Sequence, residues 1–257
     1  WGAVAIKGNS AICSNVLMKN GSGYINEFSE YSGMLSIHNV MNVYISDSIF
    51  EKSSIVDDMV HIVYSKGIIE NCIFRNSFSD AIDIDISDFR LFNNKFYNSG
   101  NDALDIMSSR VISNGNHFES SKDKGISVGE KTSLHSLNDT FISNEIGIEI
   151  KDQSMMYSNF ASFNGNKLSI NLYDKNWRYE GGGNAFIENI NSDFNLDFQV
   201  KNKSVLFIET NTKKYFNNKK VINLNNIEIS QREIIKDKFI TNLNLLNDNF
   251  EFNKHFN

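Results

Sequence analysis

The chain has 257 residues, a formal net charge of −6 and 40% hydrophobic residues. That length can bury a substantial core as one large β domain or as two smaller units. The acidic balance supplies no electrostatic attraction to nucleic acid or to an anionic membrane, and no stretch reaches the roughly 18 consecutive apolar residues of a membrane span. Cys13 and Cys72 are the only cysteines, with no CxxC and no Cys/His cluster at zinc-ligand spacing, so neither a disulfide framework nor a structural zinc site is expected. Proline is absent while Asn and Gly are plentiful, a composition that suits tight turns. The first residue is Trp1 rather than a methionine, which predicts a fragment or a processed product.

From the N-terminus, "VAIKGNSAICSNVLMKN" and "MLSIHNVMNVYISDSIF" each read as one coil of a repeat, with "GSGYINEFSEYSG" as a loop inserted between them. The register then becomes strict. Rows of 22 residues beginning at Asp58, Asp80, Asp102, Lys124, Ile146 and Leu168 open with "DMVHIVY", "DAIDIDI", "DALDIMS", "KGISVGE", "IGIEIKD" and "LSINLYD". Val60, Ile82, Leu104, Ile126, Ile148 and Ile170 form one aliphatic column, and Ile62, Ile84, Ile106, Val128, Ile150 and Leu172 form another. Between them stand His61, Asp83, Asp105, Ser127, Glu149 and Asn171. Apolar, polar, apolar is the period of a strand with one buried face. A Phe recurs later in each row, at 50, 74, 96, 118, 141, 163 and 186, followed by polar turn residues. Cys72 reads as a small buried hydrophobe within a strand, and His61, alone in its column, as a surface residue.

A fixed repeat of this length with no helical period predicts a solenoid: equivalent positions of successive coils stack at about 4.8 Å, turning sequence columns into ladders. A sandwich of antiparallel hairpins would need no fixed register. The expected fold is all-β, a single-stranded right-handed parallel β-helix with about 22 residues per coil and roughly nine or ten coils. It spans residues 1–195, and residues 196–257 supply the last irregular coils and a C-terminal cap. Within that cap "SQREIIKDKFITNLNLL" has a capping-box start at Ser230 and Glu233 and apolar residues at Ile235, Phe239 and Leu243. It is expected to be a helix or a further edge strand that protects the open end of the solenoid.

The stretches "SDAIDI", "GNDALDI" and "DKGISVGE" resemble three segments of polygalacturonases, right-handed β-helices of the pectin-lyase-like type, that carry Asp-Gly-Ile, Gly-Asp-Asp and Gly-His-Gly-Ile-Ser-Ile-Gly about one coil apart. Asp80 matches the first position, Asp102 the second Asp of the pair, and Lys124 stands where that family has His. The first Asp of the pair is Asn101, and no Arg-Ile-Lys segment follows. Over roughly residues 80–190 the chain is more closely similar to β-helix regions of large bacterial surface or secreted proteins that also carry a spore-coat-kinase-like domain. "NDALD", "DKGISVGE", "GIEIKD" and "RYEGGG" occur here in the order found there. This resemblance implies an extracellular or cell-surface location and a polysaccharide or glycan partner.

Glycoside hydrolysis needs two carboxyl groups flanking the scissile bond. Asp80 and Asp102 fall one coil apart, and Asp83 stacks over Asp105 in the same way. Like charges at that distance imply that one of each pair has a raised pKa or a cation beside it, and Lys124 supplies a cation. An enzyme reading gives Asp102 the acid role, Asp80 or Asp83 the base role, and Lys124 the binding of a substrate carboxylate. A structural reading makes the same residues a polar ladder, with Asp80 and Asp102 capping backbone amides at turns. In the next turn column Glu130, Asp152 and Asp174 align, with Lys151 and Lys175 nearby. They could bind Ca²⁺ or an acidic sugar, or form exposed ion pairs of little worth. Tyr173, Trp177 and Tyr179 could stack on a sugar face or pack a loop. The candidate catalytic set is therefore Asp80, Asp83, Asp102, Asp105 and Lys124. The candidate binding set is Glu130, Lys151, Asp152, Tyr173, Lys175, Trp177 and Tyr179, with no resident metal or cofactor assigned.

Overall fold

A computed structural model describes residues 1–192, 196–201, 203–209 and 220–244. Three parallel sheets wrap an apolar interior, and the chain visits them in turn in about eight coils of about 22 residues. The count falls below nine or ten because the inserted segment at 24–31 forms a separate antiparallel hairpin, Tyr24–Ile25 with Glu30–Tyr31, and a loop at 174–183 consumes a further half-row. The first sheet holds Gly33–His38, Asp58–Val63, Asp80–Asp85, Leu104–Met107, Lys124–Gly129, Ile146–Lys151 and Leu168–Tyr173, between the short strands Val4–Ile6 and Phe198–Val200. Parallel strands joined by crossovers take the right-handed sense.

Register pairs Val60, Ile82, Leu104, Ile126, Ile148 and Ile170 along one ladder, and their side chains are fully buried. On the third sheet Phe50, Phe74, Phe96, Phe118, Phe141 and Phe163 stack with ring centroids 4.8–5.1 Å apart and planes within 15°. Gly125 and Gly147 stand where the chain passes these rings; a Cβ on Gly125 would lie 2.8 Å from the Phe141 ring.

Phe186 does not continue the stack. The 174–183 loop shifts the register, so Phe186 falls in the second-sheet strand Asn184–Glu188, between the core residues Ala185 and Ile187, and points outward. It is buried by the helix Ile229–Asn244, whose Phe239 ring lies 5.9 Å from it. That helix begins one residue before Ser230 and lies over the outer face of the second sheet, not over the open end of the solenoid. Lys236 Nζ donates to Glu188 at 2.6 Å, and Arg232 pairs with Glu188 and Glu209. Ile235 and Phe239 face the sheet; the Leu243 side chain and residues 245–257 of the expected cap lie outside the described residues.

At each corner the strand ladder is interrupted and backbone N–H groups need other acceptors. Buried side chains one coil away supply them. Asn94 Oδ1 accepts from the N–H of Cys72, Asn116 Oδ1 from that of Asn94, and Asp139 Oδ1 from that of Asn116, at 2.8–3.0 Å. Ser87, Ser109, Thr132 and Ser154 repeat the pattern at another corner. Cys72 is thus buried as expected, but in a turn and not a strand. Among the described residues no helix is long and apolar enough to cross a membrane.

Candidate functional site on the outer face of the first sheet

Alternation along the first sheet puts the aliphatic columns inside and their neighbours outside, so His61, Asp83, Asp105, Ser127, Glu149 and Asn171 form a polar ribbon on the outer face. His38, Asp85, Lys151 and Tyr173, two positions along from that column, widen it. Asp80, Asp102 and Lys124 border it at the corner where the third sheet leads into the first.

The two corner aspartates are buried, and both are engaged with backbone. Asp80 Oδ1 accepts from the N–H of Asp102 at 2.7 Å and from Asn101 Nδ2 at 2.8 Å. Asp102 Oδ1 accepts from the N–H of Lys124 at 3.0 Å, and its side chain is only 3% exposed. Burial, with the neighbouring Asp102 charge, pushes Asp80 up to about 8. Burial pushes Asp102 up to about 7, although the Lys124 ammonium 3.3 Å away opposes the rise. Lys124 is raised above an ordinary lysine and stays charged, because the attraction of Asp102, Asp123 and Glu149 outweighs its own burial.

Asp83, Asp85 and Asp105 remain half-exposed. Burial and then the charges of Asp58, Asp85, Asp105 and Asp80 push Asp83 up to about 10. Farther along, Glu149 is the hub: it accepts from Asn171 Nδ2 at 2.9 Å and from the Tyr173 hydroxyl at 3.1 Å, with Lys151 Nζ 3.8 Å away. Lys151 Nζ also donates to Ser127 Oγ at 2.7 Å. Lys151 and Tyr173 therefore join the ribbon.

Glu130, Asp152, Lys175, Trp177 and Tyr179 lie elsewhere, at the next corner and in the loop after Tyr173. Asp152 is fully buried and its Oδ1 accepts the N–H groups of Lys175 and Asn176 at 2.8 Å each, which fixes the start of that loop. The Tyr179 hydroxyl donates to Glu130 at 3.1 Å, pinning the loop's far end, while Trp177 is 82% exposed on a single 3₁₀ turn. A groove of about 570 Å³ runs beside this corner past Tyr64, Ile86, Arg110 and Lys131, and does not contain the ribbon carboxylates.

One grouping escaped the sequence reading. His61 is not an isolated surface residue: its ring lies 5.1 Å from that of His38 on the preceding coil, with His38 Nε2 3.4 Å from His61 Nδ1. Asp58, His61 and Asp83 each offer a ligand atom within 4.8 Å of the other two, and Asp57, Asp58 and Asp80 form a second such group. The available signal was the column pairing of His61 with Asp83; His38 sits on a diagonal that no column contains.

These coils, ladders and outer ribbon define a parallel β-solenoid with one acidic, hydrogen-bonding face. The chain belongs to the right handed beta helix region family, whose model matches residues 2–141. Among curated proteins none matches it. Similar solved structures include tailspike protein 2 of Escherichia coli O157:H7 bacteriophage CAB120, at 12% identity and a TM-score of 0.48 over 76% of this chain and 29% of that one. This chain therefore spans less than a third of that tailspike's length. The endo-xylogalacturonan hydrolase of Aspergillus tubingensis is similar at 12% identity and a TM-score of 0.45, over 83% and 85% of the two chains. The A-module of the Azotobacter vinelandii mannuronan C-5 epimerase AlgE4 follows at 9% identity and 0.28, over 79% and 80%. At these scores the likenesses carry no argument about activity.

Proposed function

We propose that this chain is a carbohydrate-facing β-helix module of a bacterial surface or secreted protein, with the outer face of the first sheet as its glycan-binding surface. The observation that carries this reading is the ribbon itself. Asp83, Asp105 and Tyr173 present polar groups on coils spaced about 4.8 Å apart, a spacing comparable to one pyranose unit, and the buried Glu149 and Asn171 hold Tyr173 on a rigid frame. Preorganised polar groups on a scaffold that does not reorganise keep the entropic cost of binding an extended chain low. Burial of Asp80 and Asp102, and their engagement with backbone N–H groups, favours binding without turnover at those two residues.

One observation favours a second reading, a hydrolase or lyase. Asp83, raised by burial and by its neighbours' charges, pairs in register with Asp105 on the next coil, and strands about 4.8 Å apart bring two such carboxyl groups near the roughly 5 Å separation of retaining glycosidases. A glycan array combined with assays for new reducing ends and unsaturated products on uronate and neutral polysaccharides separates the two. The module reading expects binding without product, weakened at least several-fold by Asp105→Ala and by Tyr173→Phe. Product release abolished by Asp83→Asn establishes the second. Absence of both binding and product overturns both.

A further inference from the structure

The pair of imidazoles at the N-terminal end of the ribbon takes no part in the proposed glycan contacts. His38 ends the strand Gly33–His38 and His61 lies in Asp58–Val63; both point out of the first sheet and both are half-buried. Their facing nitrogens are 3.4 Å apart, beyond the usual 2.7–3.2 Å of an N–H hydrogen bond. Two nitrogens each about 2.1 Å from one ion at a tetrahedral angle also lie about 3.4 Å apart.

Carboxylates gather on the His61 member of the pair. Asp83 is the register partner of His61, and one of its carboxylate oxygens, one of Asp58's and a ring nitrogen of His61 all lie within 4.8 Å of one another. Asp58 is held by the Ser32 hydroxyl, which donates to its Oδ2 at 2.5 Å and leaves Oδ1 for another partner. On the far side of the His61 ring, Nε2 lies 3.7 Å from Asp85 Oδ2. A carboxylate behind the outer nitrogen is the arrangement that fixes the tautomer and raises the basicity of a metal-bound histidine. His38 packs against the Tyr31 ring at 5.4 Å, and Lys7 Nζ lies 5.5 Å from the centroid of that ring. Asp57 and Asp80 add further carboxyl groups at the same corner.

The geometry points to a binding site for a first-row divalent transition metal such as Zn²⁺, with His61, Asp58 and Asp83 as the converging ligands, His38 as the further imidazole that closes on the ion from beside His61, and Asp85 as the outer partner of His61. Imidazole nitrogen selects such ions over Ca²⁺ and Mg²⁺, which take oxygen ligands. The pair of imidazoles separates this corner from an ordinary acidic patch. The ligands come from two neighbouring strands and the one after them, so a bound ion would tie three coils together beside the glycan-facing ribbon. The inference does not depend on that ribbon binding a glycan.

The test uses the full chain, stripped with a chelator and titrated with Co²⁺ alone while its visible d–d absorption is followed. The site predicts a single bound equivalent, displaced by Zn²⁺ and not by excess Ca²⁺, and a rise in Tm on loading. His61→Asn and His38→Gln should each weaken Co²⁺ binding by roughly tenfold or more, and Asp85→Asn by roughly tenfold through the outer shell. His117→Gln, a histidine paired with Glu119 on the third sheet, should leave it unchanged. No Co²⁺ bound at submillimolar concentration, binding that survives both histidine substitutions, or equal displacement by Ca²⁺ overturns the inference. If His61→Asn fails to fold by circular dichroism, His38→Gln, at the end of its strand, decides the matter.

Discussion

Asn116 offers the sharpest test of what holds the coils together. Its side chain is 1% exposed, and its Oδ1 accepts from both the backbone N–H and Nδ2 of Asn94, at 2.8 and 3.0 Å. Its own Nδ2 donates to the Leu91 carbonyl at 2.9 Å and to Ser113 Oγ at 2.8 Å. Asn116→Ala strands the Asn94 N–H in a residue with no exposure and removes a donor from Leu91. Ser113 keeps Asp139 as a partner, so it is not counted. Two buried groups left unpaired at about 1–3 kcal/mol each give a loss of about 2–6 kcal/mol. That is a large share of a typical stability of about 5–15 kcal/mol, and for a chain of this size it lowers Tm by roughly 5–20 °C. The assay is urea and thermal unfolding followed by circular dichroism, with hydrogen exchange of the Asn94 amide as a local readout. Lys95→Ala, an exposed change next to Asn94 on the neighbouring coil, should stay within about 0.5 kcal/mol of the parent. If Asn116→Ala is as mild as Lys95→Ala, the corner ladders are ornaments of the fold and the reasoning fails.

Phe118 lies between Phe96 and Phe141 at 4.8 and 5.1 Å, so Phe118→Ala should cost about 3–5 kcal/mol in guanidinium unfolding; a loss below about 1 kcal/mol would mean that the stack does not fill the core. Ile86 is a β-branched residue at φ 47°, 45% exposed, and Ile86→Asn should raise stability by about 1 kcal/mol by relieving the left-handed strain; a lower Tm would refute this. Burial pushes the fully buried Asp139 up to about 6 despite its bonds to Ser113, Ser136 and Asn116. The folded state then holds a proton that the unfolded chain releases near 3.8, so stability is fully present below about pH 4 and falls as pH rises to about 6, by up to about 3 kcal/mol. Asp139→Asn should lessen that slope in unfolding measured from pH 4 to 7, leaving the part that Asp80 and Asp102 contribute, and an unchanged slope would assign the whole titration to other groups.

The solenoid was legible in the sequence because each column is a physical ladder: a 22-residue register with Val60, Ile82, Leu104 and Ile126 in line leaves few other ways to bury four aliphatics. The Phe stack follows from the same periodicity through Phe163, and fails at Phe186, where the 174–183 loop breaks the count. Apolar spacing at Ile235 and Phe239 left a helix and an edge strand both open and gave no seat for either, since an apolar stripe does not say which surface it covers. At the candidate site, sequence placed Asp83, Asp105 and Glu149 together, and missed the pairing of His38 with His61, which are 23 residues apart and in neighbouring columns.

Sequence by itself determined which residues stack, because stacking is set by chain distance and alternation. Tertiary structure decided which way the turn residues face, since a corner aspartate can equally cap an N–H or meet solvent. For Asp80 and Asp102 the backbone of the next coil takes the carboxylate, at 2.7 and 3.0 Å. Asp83 lies within a strand, where alternation alone turns it outward beside His61, and there its charge meets those of its neighbours rather than a backbone donor.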